Sequence, residues 1–540
     1  MTRLTRFLVN LWLAYRVANF ARHLQASGRG GETQAAAFAT LMAQFAGTEF
    51  GRAHHLTAGT TYAQFREAVP PRSHGYFAPL IARMAAGESG VLVPGRCHFF
   101  VTTAGTSGEG RKLLPVPEAM LAHFRGALRD SLYLYAHRAG HAGVFLGRQL
   151  HVGASTALTK TAGAFRTGLD GMLALCLTPR AETHLYAPPP AVAQLAEGPE
   201  KIAATVRVML PHDVTLVGGT PGAVCALALA GREAASSRQP RGPHLQAVWP
   251  NLECFAFTGA PLGIHAETLR ALLGPTVKFH EIYAAAEGIF AAQDQGSPTA
   301  LRLLTTAGLF FEFLPLRSFS EEALAKAGAE CLPLGKVATD TDYVLLVTTP
   351  AGLCRYVPGD IVRFVSLDPP RLQFAGRTRA QLNAFGEGMT EHDLTSALLA
   401  VCTRNSWQPV NFHVAPASHR IPAGQTIPCH EWWLELRTHT MKTPTANLIE
   451  PELDAELARH NRGYATKRAA RSLDIPTVWL VAPGVFERWS RAQPQTGDAS
   501  KMPRCRSDRL IADQLDALTL FHHSSVTPFR SASPHALGKE

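Results

Sequence analysis

The sequence predicts an α/β protein in two parts, a large N-terminal domain of mixed and parallel sheets with helices and a β-rich portion, then a small α+β domain. Three observations predict it. Short runs of Val, Leu, Ile and Phe alternate with helical segments at the spacing of βαβ units. From residue 301 to 375 the strands follow one another without helices between them. A chain of 540 residues also exceeds what one hydrophobic core serves, and a glycine-rich stretch, Leu382–Gly388, offers the division. The expected domains are 1–381 and 382–540.

Composition narrows the class. The chain is 46% hydrophobic and 17% charged, the balance of a globular protein. A net charge of +10 favours anionic partners. Its lysines and arginines are scattered, with no dense basic run, so nucleic acid is not expected as a partner. Nine cysteines stand far apart without a Cys-x-x-Cys pair. They read as buried thiols in a reducing cytoplasm rather than as a disulfide or zinc framework. The 23 histidines include no His-Glu-x-x-His spacing.

Taken in order, Leu8, Leu11, Trp12, Tyr15 and Phe20 fall on one helical face. They predict an amphipathic helix packed on the body, with peripheral membrane contact as the alternative and no stable insertion. Helices are expected at Gln34–Phe45, Tyr62–Val69 and Pro79–Ala86. A strand, Phe99–Val101, then runs into a small and hydroxylated loop that ends at Arg111 and Lys112. Gly105 and Gly108 permit close backbone approach. Thr103, Thr106 and Ser107 supply hydroxyls, and Lys112 supplies charge. This is the chemistry of a phosphate cradle, although its spacing is not the Walker pattern.

Helices follow at Pro117–His137, 188–209 and 223–236, with strands at Val214–Val217, Cys254–Phe257 and Val277–Tyr283. The strand ends at 102–108, 258–259 and 283–288 carry small or polar residues. In a largely parallel sheet such ends converge on a ligand. Glu287 there reads either as a magnesium carboxylate or as the N-terminal acid of a helix. Four further strands, Leu309–Leu314, Tyr343–Thr348, Ile361–Phe364 and Arg371–Phe374, make the β-rich part. Asp360, in a Pro-Gly-Asp turn, can accept two ribose hydroxyls or cap its own turn. Beyond a helix at Glu391–Thr403, strands at Glu431–Arg437 and Thr477–Val481 and a helix from Leu453 to Ala470 complete the smaller domain.

The order of these pieces resembles the auxin-responsive (Gretchen Hagen type) acyl-acid amido synthetases of the acyl-adenylate-forming superfamily. The blocks that carry it are Thr48–Arg52, the 103–107 loop, Trp249–Leu252, Tyr283 with Glu287, and Phe311–Phe313. They continue through Gly352–Tyr356 with Gly359–Asp360, Asn461 with Tyr464, Pro483–Phe486, and Lys501–Arg504. The resemblance implies an enzyme that uses ATP and Mg2+ to turn a carboxylic acid into an acyl-adenylate, then passes the acyl group to an amine or amino acid. It implies nucleotide contacts from Thr103, Ala104, Gly105, Thr106, Ser107, Lys112, Tyr283, Ala286, Glu287, Asp360, Phe374 and Arg377. Lys501 and Glu287 would be the catalytic residues, Glu287 facing the magnesium and Lys501 acting at the α-phosphate. It further implies a mobile C-terminal domain hinged near 376–390, and a monomer is expected. Alanine at 104 and 286 and valine at 357 replace polar residues usual in that family. An inactive nucleotide-binding homologue is therefore one alternative, and an acyl-CoA ligase, with a thiol as acceptor, is the other.

Overall fold

The computed structural model describes residues 3–26, 28, 30–103, 112–161, 163–236, 244–258, 262, 265–296, 300–322, 324–420, 426–438, 444–492 and 502–520. The chain forms two compact units, residues 1–379 and 380–540.

The first unit is built on a twelve-stranded sheet with two characters. Five strands run parallel, in the spatial order Lys278–Ala285, Cys254–Phe257, Val214–Gly219, Arg148–Val152 and Tyr186–Ala187. Their central members are near-continuous apolar runs buried along their length, as a sheet covered on both faces requires. Leu150, Val217 and Phe255 share one core with Val206, Leu227 and Leu269 from the connecting helices.

From Lys278–Ala285 the sheet continues antiparallel. The order is Gly288–Ala292, Leu301–Leu303, Pro370–Arg377, Asp360–Leu367, Asp342–Thr348, Phe310–Pro315 and Leu332–Pro333. The expectation of a largely parallel sheet thus holds for only part of it. Connections as short as Ala286–Glu287 or Asp368–Pro369 reverse the chain and leave no room for a parallel crossover. A separate four-stranded sheet pairs Phe99–Thr103 with Lys112–Pro115 on one side and with Phe165–Thr167 on the other.

Several expected elements change. The helix expected over 188–209 is two, Pro190–Ala193 and Pro199–Met209, because Gly198 at φ 153° precedes a proline that starts the second. Pro79 lies inside the His74–Ala85 helix rather than at its start. The N-terminal helix, Arg3–Ala26, packs on the body by Leu13, Val17, Ala21 and Leu24. Of the five residues expected on its packed face, Phe20 packs against the core, whereas Leu8, Leu11, Trp12 and Tyr15 face outward.

The second unit is a three-stranded sheet in which Trp407–Arg420 and Thr426–Thr438 form a long hairpin and Thr477–Leu480 adds in parallel. Leu398, Trp432, Leu453 and Tyr464 meet in its core. Thr390 and Asp393 close a capping box on the Glu391–Asn405 helix. The single helix expected from Leu453 to Ala470 is broken, since the Asn461 side chain accepts from the Tyr464 N–H and caps a new helix, Arg462–Ala469.

Candidate active site

Glu287 occupies a two-residue hairpin turn between Lys278–Ala285 and Gly288–Ala292, and not the start of a helix. The turn is tightly enclosed. Gly288 holds φ 154°, a conformation side chains rarely adopt, and a Cβ there would also stand 2.8 Å from Leu309 Cδ1 and 3.2 Å from His123 Nε2, so both favour glycine. The next residue, Ile289, donates its N–H to His123 Nε2 at 3.0 Å. The other ring nitrogen lies 2.7 Å from the Ala307 carbonyl. One partner only donates and the other only accepts, so the ring is neutral with its proton on Nδ1. Burial pushes His123 down to about 4, which keeps it so.

Ala286 and Glu287 are both buried. The Glu287 carboxylate accepts from the Tyr356 hydroxyl at 3.1 Å. Burial, and secondarily the charge of Asp360, holds its carboxyl above the usual range, while Lys112 and the Tyr356 phenol pull the other way.

Asp360 begins its strand immediately after Gly359, a glycine at φ 97°. Its Oδ2 accepts from the Tyr283 hydroxyl at 2.7 Å, and its Oδ1 is 3.6 Å from Arg377 Nε. Arg377 is the register partner of Asp360 across the two strands. The Phe374 ring stands 5.7 Å from that of Tyr283, tilted by 63°. Burial and the neighbouring carboxylate raise the Tyr283 phenol well above its ordinary value, so it serves as a hydrogen-bond donor.

Lys112 is paired in register with Thr103, which makes the phosphate-cradle candidate the connection of an antiparallel hairpin. Ala104, Gly105, Thr106 and Ser107 lie outside the described residues, as does Lys501. Of the other expected strand ends, Thr258 is joined to Ala284 by a 3.5 Å hydrogen bond from its hydroxyl to the carbonyl. The first unit therefore sets Lys112 and Asp360 within electrostatic range of Glu287, with Arg377 and Tyr283 on Asp360 and the Phe374 ring on Tyr283.

Two contributors were not picked out individually from the sequence, Tyr356 and His123. Tyr356 follows Arg355, which adopts φ 47° although it is not glycine. The Arg355 side chain is fully buried and hydrogen-bonded at all three nitrogens. Its Nε meets Glu312 Oε2 at 2.9 Å, Nη1 meets the Val69 carbonyl at 2.9 Å, and Nη2 meets the Gly328 carbonyl at 3.0 Å. Tyr62 donates to the other Glu312 oxygen at 2.9 Å. This network holds a backbone turn that aims Tyr356 at Glu287. The signal available in the sequence was the Phe-Glu-Phe and Arg-Tyr blocks themselves.

Similarity to known proteins follows the same layout. Residues 21–189 match the GH3 family N-terminal domain, 302–377 its central domain and 392–510 its C-terminal domain. The chain is 25% identical to indole-3-acetic acid-amido synthetase GH3.8 of Oryza sativa subsp. indica, over 92% of this chain and 90% of that protein. In fold it is similar to the AtGH3.15 acyl acid amido synthetase solved in complex with 2,4-DB, with TM-score 0.71 and 17% identity, covering 93% of this chain and 96% of that one. It is also similar to 2-hydroxyisobutyryl-CoA ligase in the postadenylation state, with TM-score 0.56 and 14% identity over 91% of each chain.

Proposed function

The chain belongs to the GH3 family, and from that premise we propose that it is an ATP-dependent acyl-acid amido synthetase, a ligase that forms amide bonds. In the first half-reaction a carboxylate oxygen attacks the α-phosphorus of ATP. The bond from that phosphorus to the β-phosphate breaks, and pyrophosphate leaves. In the second an amine nitrogen attacks the acyl carbon, AMP leaves, and the nitrogen loses a proton. Chemistry of this kind depends on positioning and charge stabilisation more than on a covalent nucleophile.

The observation that carries the reading is the convergence of Lys112, Glu287 and Asp360 within one unit. Asp360, oriented by Tyr283 and Arg377, would accept the ribose hydroxyls. Phe374 and Arg377 would flank the base or ribose. Thr103, the 104–107 loop and Lys112 would hold the triphosphate, with Ala286 beside it. Lys501 would act at the α-phosphate and acyl carboxylate.

Glu287 also fits a magnesium ion borne by the nucleotide. It is a buried carboxylate with a Lys and a phenol beside it. Among the described residues no group of three His, Cys, Asp or Glu forms a cage. A hard cation here would draw its other oxygens from phosphates and water, and would supply neutralisation of phosphate charge.

All nine cysteines are free and eight are buried, which supports a reducing, cytoplasmic setting. The enzyme is taken to work as a monomer.

The test is pyrophosphate exchange into ATP that depends on an added carboxylic acid, followed by mass spectrometry of products formed with a panel of amino acids. Acid-dependent exchange with AMP and an amide is expected. A thioester with coenzyme A in place of the amide would overturn the acceptor. ATP binding without exchange for any acid would overturn the activity.

A further inference from the structure

The Arg3–Ala26 helix is apolar on two opposite faces, and only one of them has a partner. Val17 packs with Tyr133 and Ala136 of the Glu118–Ala139 helix, and Leu24 joins the main core. On the other side Leu8, Leu11, Trp12 and Tyr15 follow the i, i+3, i+4, i+7 spacing of a single stripe, with Phe7 at its margin. These five side chains are 54–64% exposed. Thirteen large apolar side chains are exposed among the described residues, and five of them fall within nine positions of this helix. Scattered exposed apolar residues are ordinary, but a contiguous stripe marks an interaction surface.

The charge on the helix identifies the cover. It contains Arg3, Arg6, Arg16 and Arg22 and no Asp or Glu. Arg16 stands 5.5 Å from the centroid of the Trp12 ring, and the whole chain carries +10. A second copy laid on this stripe would pair two helices that each carry a surplus of arginine and no acid to offset it. An anionic bilayer complements those charges. Tryptophan and tyrosine within an exposed apolar stripe also suit the boundary between headgroups and acyl chains.

We propose that the outward face of Arg3–Ala26 docks reversibly on anionic lipid surfaces, with Leu8, Leu11 and Trp12 in the interfacial layer and the helix lying in the membrane plane. No helix among the described residues is long and apolar enough to cross a membrane, so the contact is peripheral.

Flotation of the full chain with phosphatidylcholine vesicles, with and without phosphatidylglycerol, tests this. Binding to the anionic vesicles is expected, and it should weaken as salt rises. Leu11→Glu and Trp12→Glu alter only exposed positions. Each should lower the partition coefficient by about tenfold or more, with circular dichroism and ATP–pyrophosphate exchange unchanged. Failure to float with anionic vesicles at low salt would overturn the proposal, as would undiminished binding by both variants. So would a wild-type dimer in sedimentation equilibrium that Leu11→Glu dissociates, because the face would then belong to a second copy.

Discussion

The Tyr283 hydroxyl donates to Asp360 Oδ2 at 2.7 Å although four strand steps separate their strands in the sheet order. At roughly 4.8 Å per step a flat sheet would hold them about 19 Å apart, beyond the reach of the two side chains. The antiparallel half therefore curls. That curl is what carries Asp360, at the start of its strand, onto Tyr283 and towards Glu287.

If Asp360 accepts ribose hydroxyls, Asp360→Ala removes those charge-assisted bonds and leaves Tyr283 and Arg377 without their carboxylate. Acid-dependent ATP–pyrophosphate exchange should fall by about a hundredfold in kcat/KM for ATP, the equivalent of about 3 kcal/mol. Tyr283→Phe removes only the orienting bond and should cost about tenfold or less. Unchanged kinetics in Asp360→Ala would remove the assignment.

Tyr356→Phe takes one hydrogen bond from the charged form of Glu287, whose carboxyl burial already raises. Losing a bond to the charged form raises it further. The acid limb of the exchange rate against pH should therefore move to higher pH, with the alkaline limb in place. In Glu287→Gln that limb should vanish together with most of the activity. An acid limb that Tyr356→Phe leaves in place would show that Glu287 does not govern it.

Glu312 and Arg355 form an ion pair with both side chains almost fully buried. Removing one partner strands the other, and Glu312→Ala should cost about 3–5 kcal/mol in urea unfolding of the first unit. The double change Glu312→Leu with Arg355→Met should cost less than the sum of the two single changes. It should still reduce exchange, because Arg355 no longer holds the φ 47° turn before Tyr356. Additive stability losses would mean that the pair is not coupled.

The parallel strands were legible because an apolar run such as Val214–Val217, closed by glycines, has few other fates. Candidate residues such as Glu287 and Asp360 could be singled out because each follows a strand end or a glycine turn, and the structure buries both close to one another. Tyr356 was not, since its role depends on a buried pair between positions 312 and 355 that no local pattern reveals. His123 sits on an ordinary helix and matters only because the hairpin at 286–287 folds against it. The N-terminal helix was misread for a different reason. Periodicity finds an apolar face but does not tell which of two apolar faces meets the core.

His123 ties the Glu287 turn to pH. Its ring stays neutral in the folded chain down to about 4, whereas the unfolded chain protonates it near 6.5. Between those values the unfolded state binds a proton that the folded state does not. The stability it contributes is thus fully present above 6.5 and is lost as pH falls towards 4, at about 1.4 kcal/mol per pH unit. Other buried groups also titrate here. Glu281, raised to about 7 by burial, acts in the opposite sense. Those terms are common to the wild type and a His123→Gln variant, whose amide oxygen can still accept from the Ile289 N–H without titrating. The two proteins should run parallel in urea midpoint above pH 6.5, and below it the wild type should lose stability more steeply by that amount. Parallel curves throughout would mean that the ring is protonated in the fold, and the neutral acceptor assigned to Ile289 would fall with it.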